Sequence, residues 1–155
     1  MKLILERKSL YLTDMKTDLS KILAITGHHG LFLYLAQARN GAVVESLSDK
    51  KRFVADVKSR ITTLEDISIY TSEGETKLRE VLLKMKEVLG DSPAPTSKAA
   101  PSELKALFEK ALPDYDEERF YVSHMKKVVD WYNEIKEYAS FDFVDPDEEE
   151  DKAEE

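Results

Sequence analysis

The chain contains no cysteine. That excludes a disulfide framework, a thiolate nucleophile and every cysteine-ligated metal site, and it fits a reducing compartment. Long apolar runs are also missing. The longest, residues 31–36 (LFLYLA), falls far short of the ~20 residues a membrane-spanning helix needs. Glycine is scarce: Gly27, Gly30, Gly41, Gly74 and Gly90 stand alone, so no Gly-rich loop can cradle a phosphate. Neither Gly-x-Ser-x-Gly nor His-Glu-x-x-His occurs. The opening stretch MKLILERKSLYL begins like a signal peptide, but Glu6, Arg7 and Lys8 interrupt it where an apolar core belongs. The expectation is a soluble, cytoplasmic protein that is not an enzyme, with no catalytic residues, metal, cofactor or membrane contact.

Charge of one sign is confined to one end. The net charge is −8 over 155 residues. Residues 142–155 hold nine carboxylates against Lys152 alone, which accounts for all of it. The other 141 residues carry 22 acids and 22 bases. The acidity therefore belongs to a tail too charged to fold alone, and the body is neutral.

What remains divides into a β-like half and a helical half. Thr17 or Asp18 reads as the cap of a short helical turn through Leu19, Ile22 and Leu23, ended by Gly27. Residues 30–38 are aromatic and apolar, Asn40-Gly41 is a type I′ hairpin signal, and residues 42–47 are the return strand. A turn at 48–50 leads to a third strand, 51–55. Residues 64–70 alternate Ile67 and Ile69 with Ser68 and Tyr70, the period-two mark of a half-buried strand. From residue 75 the period changes. Leu78, Val81, Leu82, Met85, Val88 and Leu89 trace one helix face, stopped by Gly90. Residues 91–100, with Pro93 and Pro95, form a linker with little to bury. Pro101-Ser102 opens a second helix through Leu104, Leu107, Phe108, Ala111 and Leu112. Residues 120–122 read as extended. Ser123 caps a third helix, whose face is Met125, Val128, Val129, Tyr132, Ile135 and Ala139.

Few side chains suggest chemistry. His28-His29 lies in a glycine-flanked turn, but adjacent histidines seldom reach one ion and His124 is distant in sequence. The carboxylates Glu65-Asp66 and Asp114, Asp116, Glu117 and Glu118 sit where caps and solvated loops are expected, not in a recognisable acid–base pair. Lys50, Lys51, Arg52, Lys58 and Arg60 give the β half a cationic side, with eight bases against six acids in residues 15–72. Beside Phe32, Tyr34 and Phe53 they are candidate nucleic-acid contacts. Trp131 and Tyr132 on the last helix are the candidate surface for a protein partner, or the aromatic glue between the two halves.

The stretches LSKILAITGHHGLFLYLAQARNGAVVESLSDKKRFVA and ISIYTSEGETKLREVL, and later ELKALFEKALPDYDEERFYVSHMKKVVDWYNEI, resemble a family of uncharacterised proteins widespread in the Bacteroidota. Its members pair an N-terminal and a C-terminal domain of unknown function. The resemblance covers residues 15–143. It implies a cytoplasmic location and a two-part layout, and it transfers no activity and no site residues. Family members commonly read Gly-Lys-Pro-Gly-Leu where this chain has Gly27-His28-His29-Gly30-Leu31, which weakens a metal role for the histidines. Members tend to begin near Met15.

The expected fold is α+β: a small antiparallel β unit, either an SH3-like barrel or a half-open sheet, followed by a three-helix C-terminal part. Residues 1–14 are an N-terminal extension or a misassigned start, 15–72 the β domain, 73–143 the helical domain with its linker at 91–100, and 144–155 a disordered acidic tail. The expected function is a non-catalytic binding or adaptor protein with a protein partner. The alternative is RNA or other nucleic-acid binding.

Overall fold

The computed structural model describes residues 16–56 and 58–144. The expected N-terminal extension and residues 145–155 of the acidic tail lie outside them. The fold is α+β, as expected. A 3-10 turn, Leu19–Lys21, opens the described chain, and the Asp18 carboxylate accepts the Ser20 N–H at 3.0 Å. Strands β1 (Ile22–Ile25), β2 (Phe32–Ala38), β3 (Gly41–Ser46), β4 (Arg52–Asp56) and β5 (Ile61–Thr63) form one antiparallel sheet in the order β4-β3-β2-β1-β5. A meander whose fifth strand returns to the first has the connectivity of an SH3-like barrel. A bulge between Tyr34 and Ala36 bends β2. A second 3-10 turn, Leu64–Asp66, leads to a separate hairpin of β6 (Ser68–Thr71) and β7 (Gly74–Lys77). Three helices follow: α1 (Leu78–Leu89), α2 (Pro101–Ala111) and α3 (Val122–Tyr138).

Several local expectations are corrected. Residues 22–25 are a strand, not a continuation of the helical turn. The run Ile-Leu-Ala-Ile lacks alternation because both faces of β1 are covered: Ile22 faces the helices, while Leu23 and Ile25 line the barrel. The β2–β3 hairpin exists, but its two-residue loop is Arg39-Asn40, and neither residue has positive φ. Gly41 pairs with Ala38 and with Asp56. Glycine is required there for space, since a Cβ would collide with the Ala55 carbonyl oxygen of β4. Residues 75–77 belong to β7, which shortens α1. Tyr121, not Ser123, caps α3, and its N–H donates to His124 Nδ1 at 3.0 Å. Val122 is already helical.

One core joins the two halves. Leu19, Ile22, Leu31, Leu47 and Leu64 from the β unit pack with Leu78, Leu82 and Met85 of α1, Leu104 and Phe108 of α2, and Val129, Tyr132 and Ile135 of α3. A smaller cluster of Leu23, Ile25, Phe32, Val44 and Ala55 fills the barrel. The linker is not idle. Ala94 is buried, and the Asn133 side chain accepts its N–H at 2.8 Å and donates to its carbonyl at 3.1 Å. The segment after α3 also returns to the β unit. Thr17 N–H donates to the Asp142 carbonyl at 2.8 Å, and Val144 N–H donates to the Thr17 carbonyl at 2.9 Å. Phe141 and Phe143 pack on the core beside this contact. Val144, expected in the disordered tail, is therefore held in place.

Polar clamps complete the junction. Arg79 of α1 pairs with Glu65 at 3.3 Å and donates to the Val144 carbonyl. Glu134 of α3 reaches across to the β1–β2 loop and accepts the Leu31 N–H at 3.2 Å. Burial pushes the Glu134 carboxyl above the usual carboxylate range. Asp130 and Glu137 push the same way, and the Leu31 bond opposes them. The folded protein thus holds this proton more tightly than the unfolded chain. Its contribution to stability is greatest below the ordinary carboxylate value and falls as pH rises through the raised one. Glu134→Gln keeps the acceptor and removes the titration. Denaturant unfolding at pH 4 to 7 should show wild-type stability declining relative to Glu134→Gln as pH rises; a difference independent of pH contradicts this.

Candidate functional site

The free edge of β6 forms one wall of a groove. Thr71 and Gly74 close the β6–β7 hairpin as a pair, and Leu78 N–H donates to the Ile67 carbonyl at 2.9 Å. Ile67, Ile69 and Thr71 therefore turn their peptide groups toward β7, and Ser68 and Tyr70 turn theirs away. At one end this outer edge is occupied: Asp116 N–H donates to the Tyr70 carbonyl and Ser72 N–H to the Asp114 carbonyl, each at 2.9 Å. The Ser68 end faces α3 across a cavity of about 180 Å³ lined by Ile67, Ile69, Phe120, Val128 and Trp131, with Arg119, His124 and Lys127 at its rim. That volume is below the roughly 300 Å³ of ordinary small-molecule sites. It suits one or two inserted side chains.

The rim is ordered by turn chemistry. Asp116 accepts the Glu118 N–H at 2.9 Å and pairs with Arg119 at 2.8 Å, and Arg119 lies over the Tyr70 ring at 4.3 Å from its centre. The Arg119 guanidinium holds the Asp116 carboxyl below the usual carboxylate range. The expected carboxylate cluster is thus a folded turn. Glu65 is the ion-pair partner of Arg79, and Asp66 accepts the Thr63 hydroxyl at 2.8 Å. A wider depression of about 440 Å³ lies on the other side of Phe120, lined by Lys105, Glu109, Tyr115, Glu117 and Tyr121. It has no strand edge in its wall.

The sequence-based candidates separate. Trp131 is half-buried and lines the groove. Tyr132, one residue on, is wholly buried against Phe141, with ring centres 4.7 Å apart, and cannot be a partner contact. Successive helical residues point about 100° apart, so only one of the pair can lie on the exposed flank. Lys50, Lys51, Arg52, Lys58 and Arg60 are all exposed; Arg52 lies in β4, Lys50 and Lys51 precede it, and Lys58 and Arg60 follow it. Arg52 is paired with Glu45 at 2.8 Å, Lys50 lies 5.9 Å from the Tyr138 ring centre on α3, and the Arg60 carbonyl accepts the Thr26 N–H at 3.0 Å. His28 stacks on Phe53 with centres 5.0 Å apart. Among the described residues no three histidines or carboxylates are grouped to hold a metal. Arg119 and Lys127 were not among the candidates; they reach the groove from a turn and a helix, and no sequence spacing links them to Ile67.

Residues 19–64 match a domain of unknown function, DUF5606, and residues 67–135 match a second, DUF6852. A solution NMR structure from Bacteroides vulgatus is 35% identical over 76% of this chain and 85% of its own, with a TM-score of 0.64. The chain belongs to this two-domain family of unknown function. No curated protein matches it. The whole groove lies within the second matched unit. Glu134, the clamp to the first unit, lies at the end of the same match.

Tyr132 carries a consequence for stability. Its hydroxyl is buried with no partner among the described residues, and burial raises its pKa. An unpaired buried hydroxyl costs about 1–3 kcal/mol. Tyr132→Phe should therefore stabilise the protein, by about 1 kcal/mol in urea unfolding; a loss of stability would show that the hydroxyl is satisfied.

Proposed function

We propose that this is a non-catalytic binding or adaptor protein, acting in the cytoplasm, that takes an extended peptide segment of a protein partner along β6 beside Trp131. The observation that carries this reading is a strand edge left open at Ser68, facing an apolar cavity with a cationic rim. Strand addition supplies affinity through main-chain hydrogen bonds and specificity through pockets for alternate side chains. Tyr115 and Asp116 already use the far end of this edge in that manner: Thr71 and Tyr115 form an antiparallel bridge. A partner segment would continue the row, place one bulky apolar side chain against Trp131 and present a carboxylate to Lys127. Two groups at the cavity, Arg119 and His124, already have structural duties. Asp116 holds Arg119, and His124 Nδ1 caps α3.

Selection from a displayed random-peptide library tests the reading. Enriched sequences should combine a bulky apolar residue with nearby acids, and their binding should shift Trp131 fluorescence. Ser68→Pro removes the outward N–H and leaves the ladder to β7 intact. Ile67, with ψ of 134°, already suits a following proline. That variant should keep the native circular dichroism spectrum and lose binding more than tenfold. Selection without enrichment, or binding indifferent to Ser68→Pro, contradicts the proposal.

A further inference from the structure

The five-stranded sheet has its own open edge, β4, at the far side from β5. Ser46 N–H donates to the Lys51 carbonyl at 2.9 Å, so Lys51, Phe53 and Ala55 turn their peptide groups to β3. Arg52, Val54 and Asp56 turn theirs outward. The same three side chains share the outer face of the strand and all are exposed; Val54 is 53% exposed. Natural edge strands are commonly blunted by proline, by lysine or by inward charges. This one carries an apolar residue between two charges of opposite sign.

We propose that the protein forms a two-fold dimer by antiparallel pairing of β4 with β4 of a second copy, centred on Val54. The sequence Arg-Phe-Val-Ala-Asp is self-complementary in that register. Val54 meets Val54 of the second copy, and Arg52 faces Asp56 of the second copy twice over by symmetry. Directly opposed unlike charges stabilise such pairs, and like charges destabilise them. The backbone parity agrees. Val54 N–H can donate to the Val54 carbonyl of the second copy, and Asp56 N–H to the Arg52 carbonyl, each in both directions. The Asp56 carbonyl, which accepts the Ser59 N–H at 2.9 Å, has a second lone pair for the Arg52 N–H of the second copy. Arg52 keeps Glu45 on its inner side, at 2.8 Å, and gains a second carboxylate on its outer side. The β5 edge offers only three residues, Ile61–Thr63, and no comparable match. An interface that repeats one patch on both copies closes on itself and stops at two.

Sedimentation of the full chain across a wide concentration range tests this. The wild type should show a concentration-dependent dimer. Val54→Pro removes an N–H that β3 does not use, so it should stay folded by circular dichroism and sediment as a monomer. Arg52→Asp and Asp56→Arg should each be monomeric alone, because each self-pairing opposes like charges. Mixed in equal amounts they should form a heterodimer, since every cross-strand pair is then unlike. A wild type that stays monomeric throughout overturns the proposal, and so does a dimer that Val54→Pro and both charge variants leave unchanged.

Discussion

Ile22 and Leu23 are neighbours in sequence and belong to different cores. Ile22 packs with the helices and Leu23 fills the barrel. A strand covered on both faces is the constraint on which the rest depends. Each of these side chains contributes roughly 1.5–3 kcal/mol by burial, and neither half of the chain is large enough to hold a deep core of its own. The barrel therefore needs the helices as a cover, and the helices need β1, Leu31 and Leu47 as a floor. The clamps at Glu134, Arg79 and Thr17 all lie on this seam. They fix the angle at which two marginal units meet.

The helices were legible because each has one covered face and one wet face. The period in Leu78, Val81, Leu82 and Met85 is kept in the structure, while Val88, read on the same face, is exposed. Strand β1 was not legible for the opposite reason: with two covered faces it has no alternation to read. Strands β5 and β7 were hidden by brevity and polarity, since Gly-Glu-Thr-Lys carries no apolar residue and its strand is defined only by its partner β6. The groove was legible only through Trp131. Its rim comes from a turn, a helix and a strand edge that chain order does not connect.

Both surfaces to which binding is assigned are strand edges, and the same economy explains them. A half-open five-stranded sheet that ends on the three-residue β5 leaves β4 open at its other edge, and a two-stranded hairpin packed on helices leaves part of β6 open. The two edges differ in chemistry. On β4 the exposed face is self-complementary in charge. Beside β6 the walls are apolar and the rim is positive, which calls for a different and acidic occupant. The acidity of residues 142–155 is a property of the chain's end, so it does not disqualify a neutral body from meeting such a partner.

If β1 is the shared element of both cores, the two halves cannot unfold separately. The direct measurement is urea unfolding of Ile22→Ala followed at two places: Trp131 fluorescence for the helical half, and the amide signals of Val44 and Ala55 for the barrel. One transition at both places, shifted down together by about 2–4 kcal/mol, is the predicted result. Two separate transitions, with the barrel left at its wild-type midpoint, would contradict the account.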